Sequence, residues 1–595
     1  MKDLFYLNKY FYKYRWHLIP GLFFVIVSNY FAVLPAQVIR LALDLVRENI
    51  SIYQLFLGFE RQEEIYQLFG SSLLLFGGIV LLLALIRGVF LFLMRQTIIL
   101  TSRRIEYDLK NEIYAHYQQL DMAFFRRNNT GDLMNRVTED VSRVRAYLGP
   151  AIMYSINTLV LSIMVITAMY QVNSTLATYA LLPIPFLIAI ILYVNKVMNV
   201  RSERIQRQLS TLSNFVQETF SGIRIIKSYS RENQKKKDFY KESDHYKTVS
   251  ISLVKAQAIF FPLILILVGL STIITVFVGG KQVIQGNISS GNIAEFIVYV
   301  SQLTFPAMSL AWVSSLVQRA AASQTRINEF LKAQPTIVST VTEEVKVQGE
   351  IEFSNINFTY PETGIKALND VSFKVNAGQV LAIIGTTGSG KSTIASLLMR
   401  MYDPQGGEIL IDGNNIKNFN LKHYRSQIGY VPQDVFLFSD TLARNIAFGE
   451  DVVNMDEVEA AAKAAAIYEN IKNFEKGFET EIGERGLTLS GGQKQRVSIA
   501  RALIKNPEIL IFDDSLSAVD TNTEEEILNN LKRLMRGKTC IFISHRVSTI
   551  KNADQILVLD RGNIVERGSH EALLEKKGSY YALYEKQLLE EESVS

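Results

Sequence analysis

The residues best suited to chemistry lie in a glycine-rich stretch, Gly385–Thr393, which fits the phosphate-binding pattern G-x-x-x-x-G-K-[ST]. An apolar run, Val380–Ile384, leads into it and a helix-like run, Ile394–Met401, leads out. Glycines let backbone N–H groups surround an anion, and the N-terminus of a helix adds partial positive charge. The stretch is therefore predicted to bind a nucleotide, through Gly385, Thr386, Thr387, Gly388, Ser389, Gly390, Lys391, Ser392 and Thr393.

Within that stretch two side chains have separate predicted roles. Lys391 is placed to reach the β- and γ-phosphates, and the hydroxyl of Ser392 to ligate Mg²⁺. Further along, the apolar run Ile509–Asp513 predicts a buried strand that ends in a carboxylate. Asp513 is thus placed to hold the same Mg²⁺ through water.

A second glycine-rich helix start lies between these motifs. Leu489, Ser490, Gly491, Gly492 and Gln493 precede a predicted helix over 494–503, which makes a second anion site. His545 follows a predicted strand, Thr539–Ser544. Upstream, Tyr360 could stack on adenine, although a lone aromatic residue in a strand is more often part of the core.

The chain that must position these residues has two dissimilar parts. It has 595 residues, 48% of them apolar, and a net charge of only +4, so its charge gives no indication of nucleic-acid binding. Its mean hydropathy is +0.13, and long apolar runs fall before about residue 320. The single cysteine, Cys540, excludes an intramolecular disulfide and a cysteine-rich metal site.

Six apolar stretches are long enough to span a bilayer, which takes about 20 residues. The sixth is the weakest, because Glu295 and Gln302 interrupt it. Buried helices of a soluble protein are the alternative, which six successive stretches disfavour. The predicted spans are Leu18–Ile39, Ser71–Met94, Ala151–Met169, Leu176–Val194, Ile259–Val278 and Ile293–Val313.

The distribution of basic residues predicts the orientation of these spans. The connections Arg95–Arg145 and Lys196–Lys255 hold nine and thirteen Lys and Arg residues, whereas Arg40–Gly70 holds three. By the positive-inside rule the two basic connections and both chain ends face the cytosol. No signal peptide is apparent, so we expect a multi-pass protein of the prokaryotic plasma membrane, the inner one where there are two.

Both basic connections are predicted to continue as helices and to contain a docking segment. Helical periodicity runs through 101–120 and 202–219. Phe124 with Phe125, and Phe220 with Gly222, place aromatic residues beside helix-breaking glycines. Inside the second span, Arg87 is a candidate contact for a substrate; a charge that reaches the interface or is paired within the bundle is the equal alternative.

The predicted fold is a membrane α-helical bundle followed by an α/β nucleotide-binding domain. The membrane domain takes 1–331, a polar linker 332–348 and the second domain 349–595. In the last of these, short apolar strands alternate with helices, the pattern of an α/β domain.

Taken together, these motifs resemble those of ATP-binding cassette (ABC) transporters. Leu489–Gln493 matches the family's signature motif, and Gly385–Ser392 its phosphate loop. Gln433 looks like the Q-loop glutamine, a further Mg²⁺ contact, and Asp513 like the Walker B aspartate. Other resemblances are the aromatic Tyr360, the switch histidine His545, the exporter loop Thr480–Gly486, and the D-loop residues Ser517, Ala518 and Asp520.

The resemblance implies an exporter half-transporter that works as a dimer with ATP and Mg²⁺. Each ATP would lie between one chain's phosphate loop and the other chain's signature helix. Docking of the segments at Phe124 and Phe220 onto the cassettes, near Gln433, would transmit closure to the spans. Alternating exposure of a cavity between the halves would then give transport.

One residue departs from the family pattern. The position after Asp513 usually holds the glutamate that polarises the attacking water, but here it is Asp514. The shorter carboxylate resembles that of the weakly hydrolysing subunit of heterodimeric exporters. We therefore favour a heterodimer, with a slow homodimer as the alternative.

The expected function is ATP-driven export of an amphipathic or hydrophobic substrate, either a drug, a lipid or a lipid-linked molecule. The spans are rich in Phe, Tyr and Ile, which suits such cargo and contact with membrane lipid. An ATP-gated channel or regulatory subunit would keep every motif and is the second hypothesis. A soluble ATPase, for example in DNA repair, uses the same cassette but has no use for six spans.

Overall fold

The computed structural model describes residues 2–55, 62–339, 341–483, 489–516 and 521–594. The chain divides into two compact units. The first comprises Met1–Tyr117 and Gly131–Lys332, and the second comprises Gln118–Thr130 and Ala333–Ser595. The second unit therefore includes a short segment, Gln118–Thr130, from the first basic connection.

Nearly all of the first unit is helical. The helices up to the linker, in chain order, are α1 (Asn8–Lys13), α2 (Arg15–Leu55), α3 (Gln62–Gln119), α4 (Met122–Arg127), α5 (Thr130–Asn135), α6 (Val141–Ala146), α7 (Ile152–Val172), α8 (Ser174–Leu181), α9 (Pro183–Ser221), α10 (Ile223–Ser228), α11 (Glu232–Ile284) and α12 (Ser290–Leu331). A 3₁₀ turn, Lys2–Leu7, precedes α1, and π-helical turns at Arg136–Asp140 and Tyr147–Ala151 flank α6.

Six helical stretches among the described residues are long and apolar enough to cross a membrane, as the sequence predicted. Two of the predicted helical extensions are also present, because α3 continues to Gln119 and α9 to Ser221. The fourth predicted span is interrupted between α8 and α9. Pro183 begins α9, and since proline has no N–H to donate, it suits a first helical position rather than an interior one.

The two polar residues that weakened the sixth predicted span both have partners in the bundle. The Glu295 carboxylate is fully buried on α12, accepts a hydrogen bond from the Tyr299 hydroxyl at 2.9 Å, and lies 3.4 Å from the Arg40 guanidinium of α2. Gln302 donates to the carbonyl of Ala32 at 2.9 Å. Pairing lowers the cost of burying Glu295 and the side-chain nitrogen of Gln302, while the buried Oε1 of Gln302 has no partner among the described residues.

Two β-sheets form the centre of the second unit. Its strands are β1 (Ile351–Thr359), β2 (Lys366–Val375), β3 (Val380–Gly385), β4 (Gly406–Ile411), β5 (Asn414–Asn415), β6 (Ile428–Val431), β7 (Ile509–Asp513), β8 (Thr539–Ile543), β9 (Gln555–Asp560) and β10 (Asn563–Gly568). One sheet is antiparallel, in the order β2-β1-β4-β5. The other has the order β10-β9-β3-β8-β7-β6, and its strands are parallel except for β10.

The helices of this unit lie between and around these strands. They are α13 (Lys391–Leu398), α14 (Leu421–Ser426), α15 (Leu442–Ile446), α16 (Met455–Ala464), α17 (Tyr468–Lys472), α18 (Gly491–Leu503), α19 (Thr521–Leu534), α20 (Val547–Ile550), α21 (His570–Lys576) and α22 (Ser579–Val594). Short 3₁₀ turns occupy Ile416–Asn418, Ala447–Gly449 and Gly477–Glu479.

The strand order of the six-stranded sheet explains where the site forms. Strand β3 is apolar throughout and buried on both faces, as expected of a central parallel strand. Strands β7 and β8 have the same fully buried character. Because β3, β8, β7 and β6 run in parallel, their carboxyl ends meet at one edge, where α/β sheets bind ligands.

Candidate nucleotide site

The loop after β3 depends on two glycine conformations. Gly388 and Gly390 have φ of +81° and +102°, the left-handed region that favours glycine. A Cβ on Gly390 would also lie 2.4 Å from the carbonyl oxygen of Ala367. Helix α13 starts immediately afterwards at Lys391, so the loop leads directly to a helix N-terminus, which attracts anions.

Lys391 is buried inside this loop. Its ammonium donates to the carbonyls of Gly385 at 2.8 Å and Thr386 at 2.9 Å. Burial lowers the pKa of Lys391, because the charged form loses hydration. A buried ammonium beside neutral carbonyls gains from exchanging them for an anionic oxygen, so the geometry fits a phosphate.

Ser392 and Asp513 come together as the sequence analysis expected. The hydroxyl of Ser392 donates to the Asp513 carboxylate at 2.9 Å, and Tyr430 also hydrogen-bonds that carboxylate. Burial is the main cause that raises the pKa of Asp513. A hydroxyl and a buried carboxylate are oxygen ligands of the kind that Mg²⁺ prefers, and this donor set fits that ion beside a phosphate.

Asp514 and Gln433 meet next to this pair. The Gln433 side-chain amide donates to the Asp514 carboxylate over 3.4 Å, which is longer than a typical N–H···O bond of about 2.9–3.0 Å. Asp514 has φ of +49°, and its N–H donates to the carbonyl of Ile543 at 2.8 Å. A left-handed residue at the end of β7 turns the chain sharply at this point.

His545 follows β8 at the same edge. Its pKa is lowered chiefly by burial and secondly by the positive charge of Lys391. The imidazole also hydrogen-bonds the backbone of Gly385, in the phosphate loop. The ring is thus neutral at pH 7 and can serve as a hydrogen-bond partner at the end of a bound phosphate chain.

This lowered pKa predicts a pH dependence. A His pKa below the ordinary value of 6.5 keeps the neutral ring populated as the pH falls through 6.5. The stabilisation from the buried neutral ring is likewise complete above pH 6.5 and lost only as the pH falls through the lowered pKa. The acidic limb of the kcat profile should therefore lie below pH 6.5 and vanish in His545→Ala. A limb above 6.5 would contradict this assignment.

Tyr360 lies beside the loop, but its neighbours differ from those expected. Its hydroxyl is 2.9 Å from the hydroxyl of Thr393, and the Arg126 guanidinium lies 5.4 Å from its ring centroid. Arg126 also pairs with the buried Glu362 at 3.5 Å. Its neighbour Arg127 donates to the carbonyl of Pro361 at 2.7 Å.

Helix α4 therefore contacts the aromatic residue proposed for adenine. Ala123 packs against the same apolar core, and Asp121 accepts from the N–H of Thr336 at 2.9 Å. Sequence reasoning named Phe124 and Phe125 in this segment but missed Arg126, whose position next to the aromatic pair was the available signal. Phe220, 70% exposed at the end of α9, and Gly222 belong to the first unit, and their docking stays a prediction.

The signature segment forms a capped helix N-terminus. The Ser490 hydroxyl accepts from the N–H of Gln493 at 3.3 Å, and the Gln493 side chain accepts from the N–H of Ser490 at 2.9 Å. Leu489 is buried, whereas Ser490 and Gly491 are exposed, followed by the half-buried Gly492. The exposed start of α18 can contact a group outside this chain.

Two predicted segments cannot be placed. The D-loop residues Ser517, Ala518 and Asp520 lie outside the described residues, as do Glu484–Gly486 of the exporter loop.

Comparison with known families gives two matches. Residues 18–307 match the family described as ABC transporter transmembrane region, and residues 368–517 match the family described as ABC transporter.

Curated relatives and a solved structure cover most of the chain. It is 34% identical to the multidrug resistance-like ATP-binding protein MdlA of Escherichia coli (strain K12), over 87% of this chain and 88% of that one. It is 35% identical to the ATP-dependent lipid A-core flippase of Syntrophus aciditrophicus (strain SB), over 86% and 85%. A solved bacterial Atm1-family ABC exporter with ATP bound is 28% identical, with a TM-score of 0.73, over 95% of this chain and 98% of that one.

Proposed function

The chain belongs to the ABC transporter family, as a membrane exporter subunit that hydrolyses ATP, and we propose that it exports an amphipathic or hydrophobic molecule by alternating access. The observation that carries this proposal is the cluster of Lys391, Ser392 and Asp513 at one sheet edge, in a chain whose described residues also include six apolar helical stretches. Nucleotide chemistry and membrane passage thus reside in a single polypeptide.

The residues of the site divide the work of hydrolysis among them. Lys391 would neutralise the phosphates, and Ser392 and Asp513 would hold Mg²⁺, which would supply Lewis-acid stabilisation of the phosphoryl oxygens. Gln433 and Asp514 would orient the attacking water, and Asp514, one methylene shorter than the usual glutamate, would accept its proton only slowly. The neutral His545 ring has one N–H, which would leave the Gly385 backbone and donate to the terminal phosphate when ATP is bound. Ser490 and the N-terminus of α18 would serve the site of a second chain.

A substrate of low polarity fits the composition of the spans. Many large apolar side chains on the spanning helices are exposed in this chain, among them Leu85 and Phe92 on α3. Two relatives are named as a lipid A-core flippase and as multidrug resistance-like, which supports lipid or drug-like cargo for this chain. The test is ATP hydrolysis by the Asp514→Glu form in lipid nanodiscs, which such compounds should stimulate. Indifference to every amphipathic compound and lipid tested would contradict the substrate class.

Arg87 is proposed to contact an anionic head group, because it is an exposed cation within the membrane part of α3. Arg87→Ala should weaken the apparent affinity for an anionic amphiphile about tenfold, the typical loss of one charge-assisted hydrogen bond. Arg87→Lys keeps the charge and serves as the matched control. Unchanged transport and unchanged substrate-stimulated ATPase in Arg87→Ala would remove Arg87 from the substrate path.

The partner is proposed to be a different half-transporter. Exporters of this family work as dimers, and Asp514 favours pairing with a chain whose own site carries the longer glutamate. ATP binding would favour the closed dimer, because only that arrangement contacts the terminal phosphate from both sides. A tagged chain isolated from its native membrane should bring an equal amount of a second half-transporter. A complex of this chain with itself would favour the slow homodimer.

The protein is proposed to lie in the prokaryotic plasma membrane with both ends in the cytoplasm. The basic connections Arg95–Arg145 and Lys196–Lys255 support this orientation. An ATP-gated channel or regulatory subunit remains the second candidate, since Asp514 would suit a subunit that binds ATP without fast turnover.

A further inference from the structure

The segment that carries His545 has one local hydrogen bond, from the N–H of Arg546 to the Ser544 hydroxyl at 3.0 Å, and takes others from neighbouring helices. His545 and Arg546 lie between the end of β8 and the start of α20, so they belong to no regular element. Arg546 takes the N-cap position of α20, but its side chain makes no capping hydrogen bond. The first N–H groups of a helix need partners from elsewhere, and here the partner of Val547 comes from the C-terminal helix.

That partner is Gln587 of α22. Its side-chain oxygen accepts from the N–H of Val547 at 2.8 Å, and its side-chain nitrogen donates to the carbonyl of His545 at 2.6 Å. The two hydrogen bonds lie on either side of Arg546 and use both the oxygen and the nitrogen of one amide group. The alternative amide orientation would set donor against donor and acceptor against acceptor, so the backbone itself selects the orientation.

The same segment is held from the other side by α19. Glu524, which is buried, accepts from the Arg546 guanidinium at 3.1 Å and from the Thr549 hydroxyl. The backbone around His545 is thus fixed between two helices, while its imidazole hydrogen-bonds the backbone of Gly385 in the phosphate loop.

Helix α22 is itself anchored at its other end. Tyr580 is fully buried, and its hydroxyl lies 2.7 Å from Nδ1 of His570. The N–H groups of Ser579 and Tyr580 both donate to the Glu566 carboxylate of β10. Gln587 lies seven residues beyond Tyr580, or two helical turns, so the anchored helix delivers its side chain to the His545 segment from a fixed base.

We propose that the C-terminal helix positions the switch histidine, with Gln587 as a positioning residue for ATP hydrolysis. The inference rests on the proposed role of His545. The imidazole must meet a phosphate held by a loop on a different strand, and a shift of about 1 Å in such a group can cost about a hundredfold in rate. Gln587 fixes the backbone on both sides of that turn.

The experiment uses full-length detergent-purified protein in the Asp514→Glu form, or wild type if that already turns over. Gln587→Met keeps the length and volume of the side chain and removes both hydrogen bonds. It should lower kcat about tenfold with little change in KM for ATP or in Tm. The matched control is Glu585→Ala, at an exposed position on the same helix, which should leave kcat, KM and Tm unchanged.

A double variant separates positioning from a general structural role. If Gln587 acts through His545, Gln587→Met should have no further effect on the rate in a His545→Ala background. An equal tenfold loss in both backgrounds would overturn the proposal. So would an unchanged kcat in Gln587→Met itself.

Hydrogen exchange gives a readout that does not depend on turnover. The Val547 N–H should exchange at least about tenfold faster in Gln587→Met, because its acceptor is gone. Unchanged exchange in the peptide over 545–550 overturns the clamp whatever the ATPase rate. If neither form hydrolyses ATP, the proposed catalytic site has failed, and exchange at Val547 alone then decides the inference.

Discussion

Replacing Asp514 by glutamate is expected to raise the ATPase rate of the chain, purified without a partner, by about a hundredfold. Aspartate is one methylene shorter than glutamate, about 1.5 Å of reach. A general base must come within about 2.6–3.2 Å of its proton donor. The Gln433 amide lies 3.4 Å from the Asp514 carboxylate, longer than a typical N–H···O bond, so a longer carboxylate at this position could approach it more closely.

Two variants test whether position or length matters. Asp513→Glu adds the same methylene one residue earlier and should abolish activity, because it displaces the carboxylate that Ser392 contacts at 2.9 Å. Asp514→Asn keeps the length and removes the base, so it should stay as slow as wild type or slower. Brisk hydrolysis by wild type that is lost in Asp514→Ala would show instead that aspartate is a working base.

Replacing Lys391 by alanine should weaken binding of MgATP by at least about a hundredfold. The buried ammonium sits between two loop carbonyls and can turn onto the phosphates, and a charge-assisted bond of this kind contributes about 1.5–3 kcal/mol. Loss of the only positive side chain within Gly385–Thr393 also leaves the phosphate charge less compensated. Titration of the full-length protein with a fluorescent ATP analogue gives the affinity.

The control for Lys391→Ala is Lys417→Ala, which removes an exposed lysine of the same unit. Its affinity for the analogue should match wild type. Binding by Lys391→Ala within a factor of three of wild type would contradict the role of Lys391. The same result would indicate that the aromatic and backbone contacts of the loop provide most of the affinity for ATP.

Local patterns predicted the parts of the site that are contiguous in the chain. The glycine spacing, the apolar run of β3 and the following helix start are short-range features, so Gly385–Thr393 was recognisable at once. The same holds for the six membrane helices, since a span of about 20 apolar residues is a property of composition. The alternation of apolar strands and helices in the sequence also predicted where β7 and β8 end.

Contacts between distant residues were beyond such patterns. Arg126 and Tyr360 are 234 residues apart, and the sequence around either residue does not predict that the Arg126 guanidinium lies over the Tyr360 ring. Tyr430 beside Asp513, and Gln587 on the His545 segment, are of the same kind. Such contacts depend on the order of the strands in the sheet, and the spacing of motifs along the sequence does not predict that order.

The break between α8 and α9 shows the opposite case. Pro183 lies inside the predicted span Leu176–Val194, and because proline has no N–H, its presence in the sequence indicates a helix boundary there. Hydropathy averages over such a residue, so the stretch was predicted as one span; that span is present, and a turn at Leu182 divides it into α8 and α9.

The most direct test of the account is ATP-dependent accumulation in inverted membrane vesicles that contain this chain and its partner. A fluorescent amphipathic substrate, present at equal concentrations on both sides, should become concentrated inside when MgATP is added outside. The same vesicles without MgATP set the nucleotide-independent baseline. We predict an ATP-dependent rise of the inside concentration above the outside concentration. If the two concentrations stay equal, and ATP accelerates only the exchange of substrate between the two sides, the chain forms a channel and export is contradicted.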